Sequence, residues 1–350
     1  MRSPVRIGLV SFAHYHANFW AEALRDDERA DFVGIWDDDA TRGREAAAKY
    51  GTRFWSELAG LLAACDAVGV TSATAHHADL VERAAAAGCH ILCEKPLATT
   101  IADCDRIAVA VERAGVVFMQ SFPKRFDPVN HELRRLVHEG ELGQIVLMRV
   151  RHGHLYGLGP GHGMPWAEDP ALAGGGALLD EGIHGADFIR WMFGEPESVM
   201  AMLSHVALGA PLENLGLAVF RYPDGLLCEL ASSTTFAAGD NSIEVFGTKG
   251  AAVLSGVDLA SRDVTEAGFL KVCRLDEGPR RWHVSPIVPR FKTGGLHQQN
   301  ALQFLEALCE GKPPPNTLQD GRRALEMILA AYRAARSGRV ETIPPPRISG

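Results

Sequence analysis

A chain of 350 residues with 47% apolar and 22% charged residues has ordinary globular composition and is long enough for two cores. Its net charge of −8 argues against a polyanion, so no nucleic-acid partner is expected. Nor is a membrane partner, because the longest Ala-rich run, 81–88, is broken by Glu82 and Arg83 and falls short of a span.

The first third alternates strands and helices. Residues 5–10 read as a strand, and 16–25 as a helix with Phe19, Trp20, Ala23 and Leu24 on its apolar face. A second strand covers 31–36, and a helix closed by Gly51 covers 41–50; Ser56 caps a short helix. Further strands are expected at 67–70, 91–93 and 116–119, with helices over 77–87 and 101–114. This rhythm gives a doubly wound parallel sheet over 1–122, the layout in which an NAD(P)-binding Rossmann domain is expected if the ligand-binding residues agree. Then the pattern changes. A helix over 126–139 and a long alternating strand over 144–152 lead into 153–176, rich in Gly and Pro and too long to be mere connection. After a helix over 177–193, strands near 198–206, 215–221, 226–233, 241–247 and 251–255 build an open, mostly antiparallel sheet. Helices over 297–309 and 318–335 end the ordered part. The expected fold is α/β, a Rossmann domain plus a C-terminal α/β domain with a large open sheet over 123–343, and 344–350 as a tail.

The chemistry centres on His90-Ile91-Leu92-Cys93-Glu94-Lys95-Pro96-Leu97. Three apolar residues run straight into a carboxylate and an ammonium, as in a buried parallel strand whose carboxyl end faces a ligand. Pro96 stops the strand and could hold the Lys95–Pro96 peptide cis. A surface salt bridge is the plainer reading of the same three letters. In the first strand–turn–helix, the glycine fingerprint of dinucleotide folds is replaced by Ser11-x-Ala13-x-x-His16. Ser11, Phe12 and Ala13 can still bring backbone close to a pyrophosphate, and His14 or His16 could add donors. Asp37 ends the second strand, 26 residues after Ser11, where a carboxylate binds ribose hydroxyls and repels a 2′-phosphate; NAD is therefore expected over NADP. It could instead cap the next helix, as could Asp38 or Asp39.

A third stretch runs Gly174-Gly175-Gly176-Ala177-Leu178-Leu179-Asp180-Glu181-Gly182-Ile183-His184. Asp180 and His184, four apart on a helix, make a carboxylate–imidazole pair suited to a general base, although an ordinary helical pair has the same spacing. His152 and His154 share one strand face, with Tyr156, His162 and Trp166 downstream; such groups suit a sugar. No metal is expected, because neither His152/His154 nor His14/His16 has a carboxylate or cysteine at a matching spacing. Cys89 and Cys93 read as packing groups. The seven cysteines are scattered, which suits reduced thiols, and Met1-Arg2-Ser3-Pro4 precedes the first strand without an apolar signal, so a cytoplasmic location is expected.

These stretches, with Arg125-Phe126-x-Pro128 and Phe246-Gly247-Thr248-Lys249-Gly250, resemble the signatures of the Gfo/Idh/MocA oxidoreductases, in order, from residue 5 to about 343. The resemblance implies that Lys95 hydrogen-bonds the reacting substrate oxygen while His184 takes its proton as hydride passes to nicotinamide. Asp180 would hold substrate and His184 together, Glu94 would sit beside the nicotinamide ribose, and Thr71 with His76 would line the cofactor cleft. His77 is assigned to the surface. Arg125 would face the substrate or form an interdomain ion pair. The implied activity is NAD-dependent oxidation or reduction of a secondary alcohol or ketone in a sugar, inositol or sugar-derived acid. Two alternatives use the same residues differently: a lyase or glycosidase that oxidises transiently, and a non-catalytic sensor. A homodimer or homotetramer is expected if one face of the second sheet lacks helices.

Overall fold

The computed structural model describes residues 3–158, 164–205, 211–236, 242–254, 268–277, 281–288 and 294–346. In chain order the elements begin β1 (Val5–Val10), α1 (Ala17–Asp26), β2 (Ala30–Trp36), α2 (Ala40–Tyr50), α3 (Leu58–Ala64) and β3 (Ala67–Val70). They continue with α4 (His77–Ala86), β4 (His90–Cys93), α5 (Ile101–Ala114), β5 (Phe118–Gln120), α6 (Pro128–His138) and β6 (Ile145–Gly153). Three helices follow, α7 (Pro170–Ala173), α8 (Ala177–Asp180) and α9 (Gly182–Phe193). Strands β7 (Ser198–Ser204), β8 (Leu215–Arg221), β9 (Leu227–Ser233), β10 (Ile243–Gly247), β11 (Gly250–Leu254), β12 (Leu270–Arg274) and β13 (Trp282–Val284) precede α10 (Gly295–Glu310), α11 (Leu318–Ser337) and β14 (Glu341–Thr342).

The chain forms two compact units. The first comprises Met1–Pro123, Gly163–Gly174 and Gly294–Arg322; the second comprises Lys124–His162, Gly175–Thr293 and Arg323–Gly350. The first is built on a parallel sheet of order β2-β1-β3-β4-β5. Its strands are short apolar runs buried on both faces, with Ile7, Leu9, Val68, Ile91 and Leu92 at 1% exposure or less. The order turns back at β1, so the carboxyl ends of β1 and β3 open where ligands bind in such sheets. The second unit carries a nine-stranded sheet, β13-β12-β11-β10-β6-β9-β8-β7-β14, antiparallel except where β6 runs parallel to β9. Helix α9 packs on β6 and β9, where Gly185 faces Leu230 and Val150. The other face shows Met200, Met202, Leu217, Val219, Leu227 and Val146, each at least 40% exposed.

Several boundaries differ from expectation for identifiable reasons. Helix α6 starts at Pro128, not Phe126, because the Asp127 side chain accepts the Val129 N–H and proline takes the first helical position. Ser56 does not cap α3; Glu57 holds that position without a side-chain bond. The expected helix over 177–193 is two helices with Glu181 between them, next to the permissive backbone of Gly182. Within 153–176 the short α7 is capped by Asp169. His162 lies outside the described residues. All seven cysteines are free thiols, and no helix among the described residues is long and apolar enough to cross a membrane.

Candidate active site

In the first unit, the turn after β1 takes the shape its missing glycines would have given. Ser11 has φ 75°, the only non-glycine with positive φ among the described residues. Local bonds hold it there: its hydroxyl reaches Asp38 at 3.3 Å and accepts the Ala13 N–H at 3.1 Å, while the Thr71 hydroxyl donates to its carbonyl at 2.7 Å. Asp37 accepts the Phe12 N–H at 2.6 Å and the Asp39 N–H at 2.9 Å. It also binds Arg42 through two bonds, at 2.5 and 3.0 Å. Burial raises the Asp37 carboxyl against the pull of that guanidinium. The sequence reading missed Arg42, which stands one turn into α2 on the side chain meant to repel a 2′-phosphate. Helix α2 is capped by Asp39, leaving Asp37 to the loop.

Glu94 and Lys95 emerge at the carboxyl end of β4, 0% and 3% exposed, and the Lys95–Pro96 peptide is cis. Neither Glu94 oxygen receives a hydrogen bond among the described residues, although His16 Nδ1 stands 3.2 Å from Oε1. His14 lies beside His16, with ring centroids 4.2 Å apart, and the ring of His297 of α10 lies tilted against that of His16, centroids 3.7 Å apart. His297 was invisible to the sequence argument because α10 reaches this loop only through the fold. Thr71 is fully buried and His76 exposed. His77, assigned to the surface, is instead buried at 1%, with ring nitrogens 2.9 Å from the Pro96 carbonyl and 3.2 Å from that of Ser72. Burial lowers its basicity; its role is to tie α4 to the loop that carries Lys95.

Trp166 also belongs to the first unit. Its indole N–H donates to the Ala13 carbonyl at 2.9 Å, and its ring lies 6.0 Å from that of His14. It therefore packs against the loop after β1.

In the second unit, the end of β6 carries His152, and His154 follows one residue beyond the strand, with both rings near Glu181. Parallel pairing of His152 with Ser232, and bonds between His154 and Ser233 and Phe236, fix the backbone on both sides. Glu181, from the break between α8 and α9, points its Oε2 at both rings, 3.1 Å from His152 Nε2 and 3.5 Å from His154 Nε2. The Tyr156 hydroxyl reaches Asp180 Oδ2 at 2.5 Å and Glu181 Oε1 at 2.9 Å, so one phenol proton faces two carboxylates. Burial and those carboxylates keep the phenol protonated far above its ordinary range. Burial, helped by the Lys124 charge, pushes His152 down to about 4. Burial opposes ionisation of Glu181, but His154 and His152 outweigh it and hold the carboxyl down at about 2. The His184 ring sits edge-on to His152, centroids 5.1 Å apart, and is 6% exposed.

The mouth of α8 is held by Glu213, which accepts the Gly176 and Leu178 N–H groups at 3.0 Å and the Tyr332 hydroxyl at 2.5 Å. Arg125 pairs with Asp187 through bonds of 2.9 and 2.5 Å, both side chains buried. Both residues belong to the second unit, so this pair is not the interdomain bridge offered as an alternative. The premise that no carboxylate accompanies the histidine pairs is also corrected: Glu94 joins His14 and His16, and Glu181 joins His152 and His154. Linear spacing could not reveal either carboxylate, since each comes from a distant segment.

A parallel sheet with a glycine-shaped loop at its switch point, joined to a unit rich in buried imidazoles and carboxylates, defines a dinucleotide-dependent oxidoreductase. Residues 5–122 match the oxidoreductase family with NAD-binding Rossmann fold, and residues 130–253 match the GFO/IDH/MocA C-terminal domain. The chain belongs to the Gfo/Idh/MocA family and is an NAD(P)-binding oxidoreductase acting on CH–OH groups. It is 30% identical over 287 residues to a myo-inositol dehydrogenase of Streptomyces leeuwenhoekii, covering 80% of this chain and 82% of that protein. Among solved structures it is similar to the aldose-aldose oxidoreductase of Caulobacter crescentus complexed with glycerol, at 25% identity and a TM-score of 0.83, covering 97% and 99% of the two chains. It is also similar to GenD2 of gentamicin A biosynthesis in complex with NAD, at 25% identity and a TM-score of 0.82, covering 99% and 98%.

Proposed function

We propose that this protein transfers hydride between NAD and a secondary alcohol or ketone of a sugar or cyclitol. The observation that carries the reading is the burial of a carboxylate and an ammonium together, Glu94 and Lys95, at the carboxyl end of β4. The residues fit a dinucleotide. Glu94 offers two buried acceptors without donors, which ribose hydroxyls can satisfy, and the backbone at Ser11 has the torsion that close approach of a pyrophosphate needs. Once bound, the nicotinamide supplies the acceptor or donor of hydride. In this reading Asp37 takes the adenosine ribose and favours NAD over NADP.

His184 is the proton acceptor, and the groups around it suit that task. A buried imidazole next to the neutral His152 and the ionised Glu181 sits in a field that accepts a proton from an alcohol. Lys95 steadies the oxygen that loses the proton, and Asp180, fixed by Tyr156, orients the substrate. His154, half-buried, is the side chain of this group best able to touch a polyol. Relatives that act on inositol and aldoses support the substrate class. The apolar face bearing Met202 and Leu217 is covered in this reading by a second copy of the chain, giving a homodimer or homotetramer. Light scattering should return an oligomer, and M202K with L217K should return a monomer.

The deciding experiment is a panel of inositols, aldoses and sugar acids incubated with purified protein and NAD or NADP, following absorbance of the reduced nicotinamide. Steady reduction of NAD by at least one polyol is expected. Bound NAD with no net reduction across the panel would select the transient-oxidation mechanism instead.

A further inference from the structure

We propose that His152 Nε2, His154 Nε2 and the Glu181 carboxylate form a binding site for one divalent transition-metal ion, Zn²⁺ or a near relative. The three ligand atoms lie within 4.8 Å of one another, all inside the second unit. Two imidazoles and one carboxylate form a ligand set used by zinc and non-haem iron centres that keep open positions for water or substrate. The separations match such a centre. Ligand atoms ~2.1 Å from a tetrahedral ion stand ~3.4 Å apart, and Glu181 Oε2 is 3.1 and 3.5 Å from the two nitrogens. Little would have to move to admit the ion.

The set is held before any ion arrives. His152 is fixed by the β6–β9 ladder, and His154, one residue past its end, by backbone bonds to Ser233 and Phe236. The other oxygen of Glu181 is occupied by the Tyr156 hydroxyl, which leaves Oε2 aimed at the imidazoles. His154 is the less buried of the two histidines, so an incoming ion or polyol oxygen has access from its side. Magnesium should bind poorly, since it prefers oxygen ligands and keeps its water shell. The cluster His14, His16 and Glu94 in the first unit offers the same ligand types, but its carboxylate belongs to the dinucleotide cradle argued above, so it is not assigned to a metal. A consequence, which rests on the proposed polyol activity, is that the open positions would take a substrate hydroxyl beside His184 and ease its deprotonation.

The test uses the full chain, stripped with a chelator, without NAD or substrate. Co²⁺, Zn²⁺ and Mg²⁺ are each dialysed back and counted by elemental analysis, and the Co²⁺ form is read by its visible absorption. One Co²⁺ or Zn²⁺ per chain is expected, with Mg²⁺ absent at equal concentration. Because changes to groups behind the ligands already weaken metal binding by ~10–100-fold, E181Q and H154Q should each weaken it by more than about 100-fold. H14N should leave it unchanged. Circular dichroism establishes folding, and either E181Q or H154Q suffices should the other fail to fold. The proposal is overturned if the wild-type chain retains neither Co²⁺ nor Zn²⁺, or if H14N loses the ion while E181Q and H154Q keep it. Metal binding without turnover of any polyol would leave this site standing and count against the hydride-transfer reading alone.

Discussion

Each unit gathers two histidines around one buried glutamate, and the two glutamates are treated in opposite ways. Glu94 in the first unit has both oxygens without a hydrogen bond among the described residues, with His16 Nδ1 3.2 Å from one of them. Glu181 in the second has one oxygen on a tyrosine and the other between two imidazoles, and its carboxyl is held down at about 2. An unsatisfied buried acceptor costs free energy that folding alone does not return, so it marks a place completed by a ligand bearing hydroxyl or N–H donors. A fully engaged carboxylate marks a place already shaped for its task. In the proposed reading, Glu94 is thus the carboxylate left for a ligand's donors, and Glu181 the one its neighbours already hold in place.

The largest effect expected from breaking this contrast is on turnover. H184A should lower kcat by about 100-fold or more, with the NAD dissociation constant unchanged by fluorescence titration, because only the proposed proton acceptor is lost. Loss of NAD affinity in parallel would show that the second unit shapes the cofactor side as well.

A buried carboxylate on which burial outweighs the nearby Lys124 and His131 sharpens the comparison next. Burial raises Asp127, the cap of α6, to about 6 against its bond from the Val129 N–H. An acid raised on folding contributes stability that is fully present below its unfolded value and lost as pH rises through about 6. Wild type should therefore lose on the order of 3 kcal/mol relative to D127N between pH 4 and pH 7, measured by urea unfolding. Asparagine keeps the cap without the charge, so a pH-independent difference would show that the carboxyl titrates normally.

Smaller again is Y156F. Removing the proton that faces Asp180 and Glu181 should cost about 2 kcal/mol in the same assay and leave the first unit's NAD binding intact. The smallest expected change has the opposite sign. E94Q should stabilise the free chain by about 1 kcal/mol, through an amide donor for a site that lacks one, while weakening NAD measurably by calorimetry. A variant that lost stability would mean Glu94 is already satisfied in the folded chain.

Much of the fold could be read from letters because the signals were local. The strand at Val5–Val10, the buried run Ala67–Val70 and the Thr100-to-Gly115 helix each carry their own apolar pattern or cap. The Asp127-Pro128 start of α6 was equally local and was overlooked, since apolar periodicity drew the boundary back to Phe126. What could not be read depended on partners far along the chain. His77 looks like a surface residue until Pro96 and Ser72 close over it. Glu181 looks like a spacer inside a helix until that helix breaks and turns it toward β6. Arg42 meets Asp37, and His297 meets His16, by the same route, through packing that no spacing rule describes.

The loop at Ser11 has a practical corollary. A scan for three glycines passes over this chain, whereas a scan of torsion angles would stop at Ser11, where a serine holds the glycine pose by bonding to Asp38 and Ala13. Installing glycine there would relax the backbone and surrender both bonds at once. The written signature and the physical requirement have come apart at this position, and proteins that meet the requirement with other letters are best sought by shape.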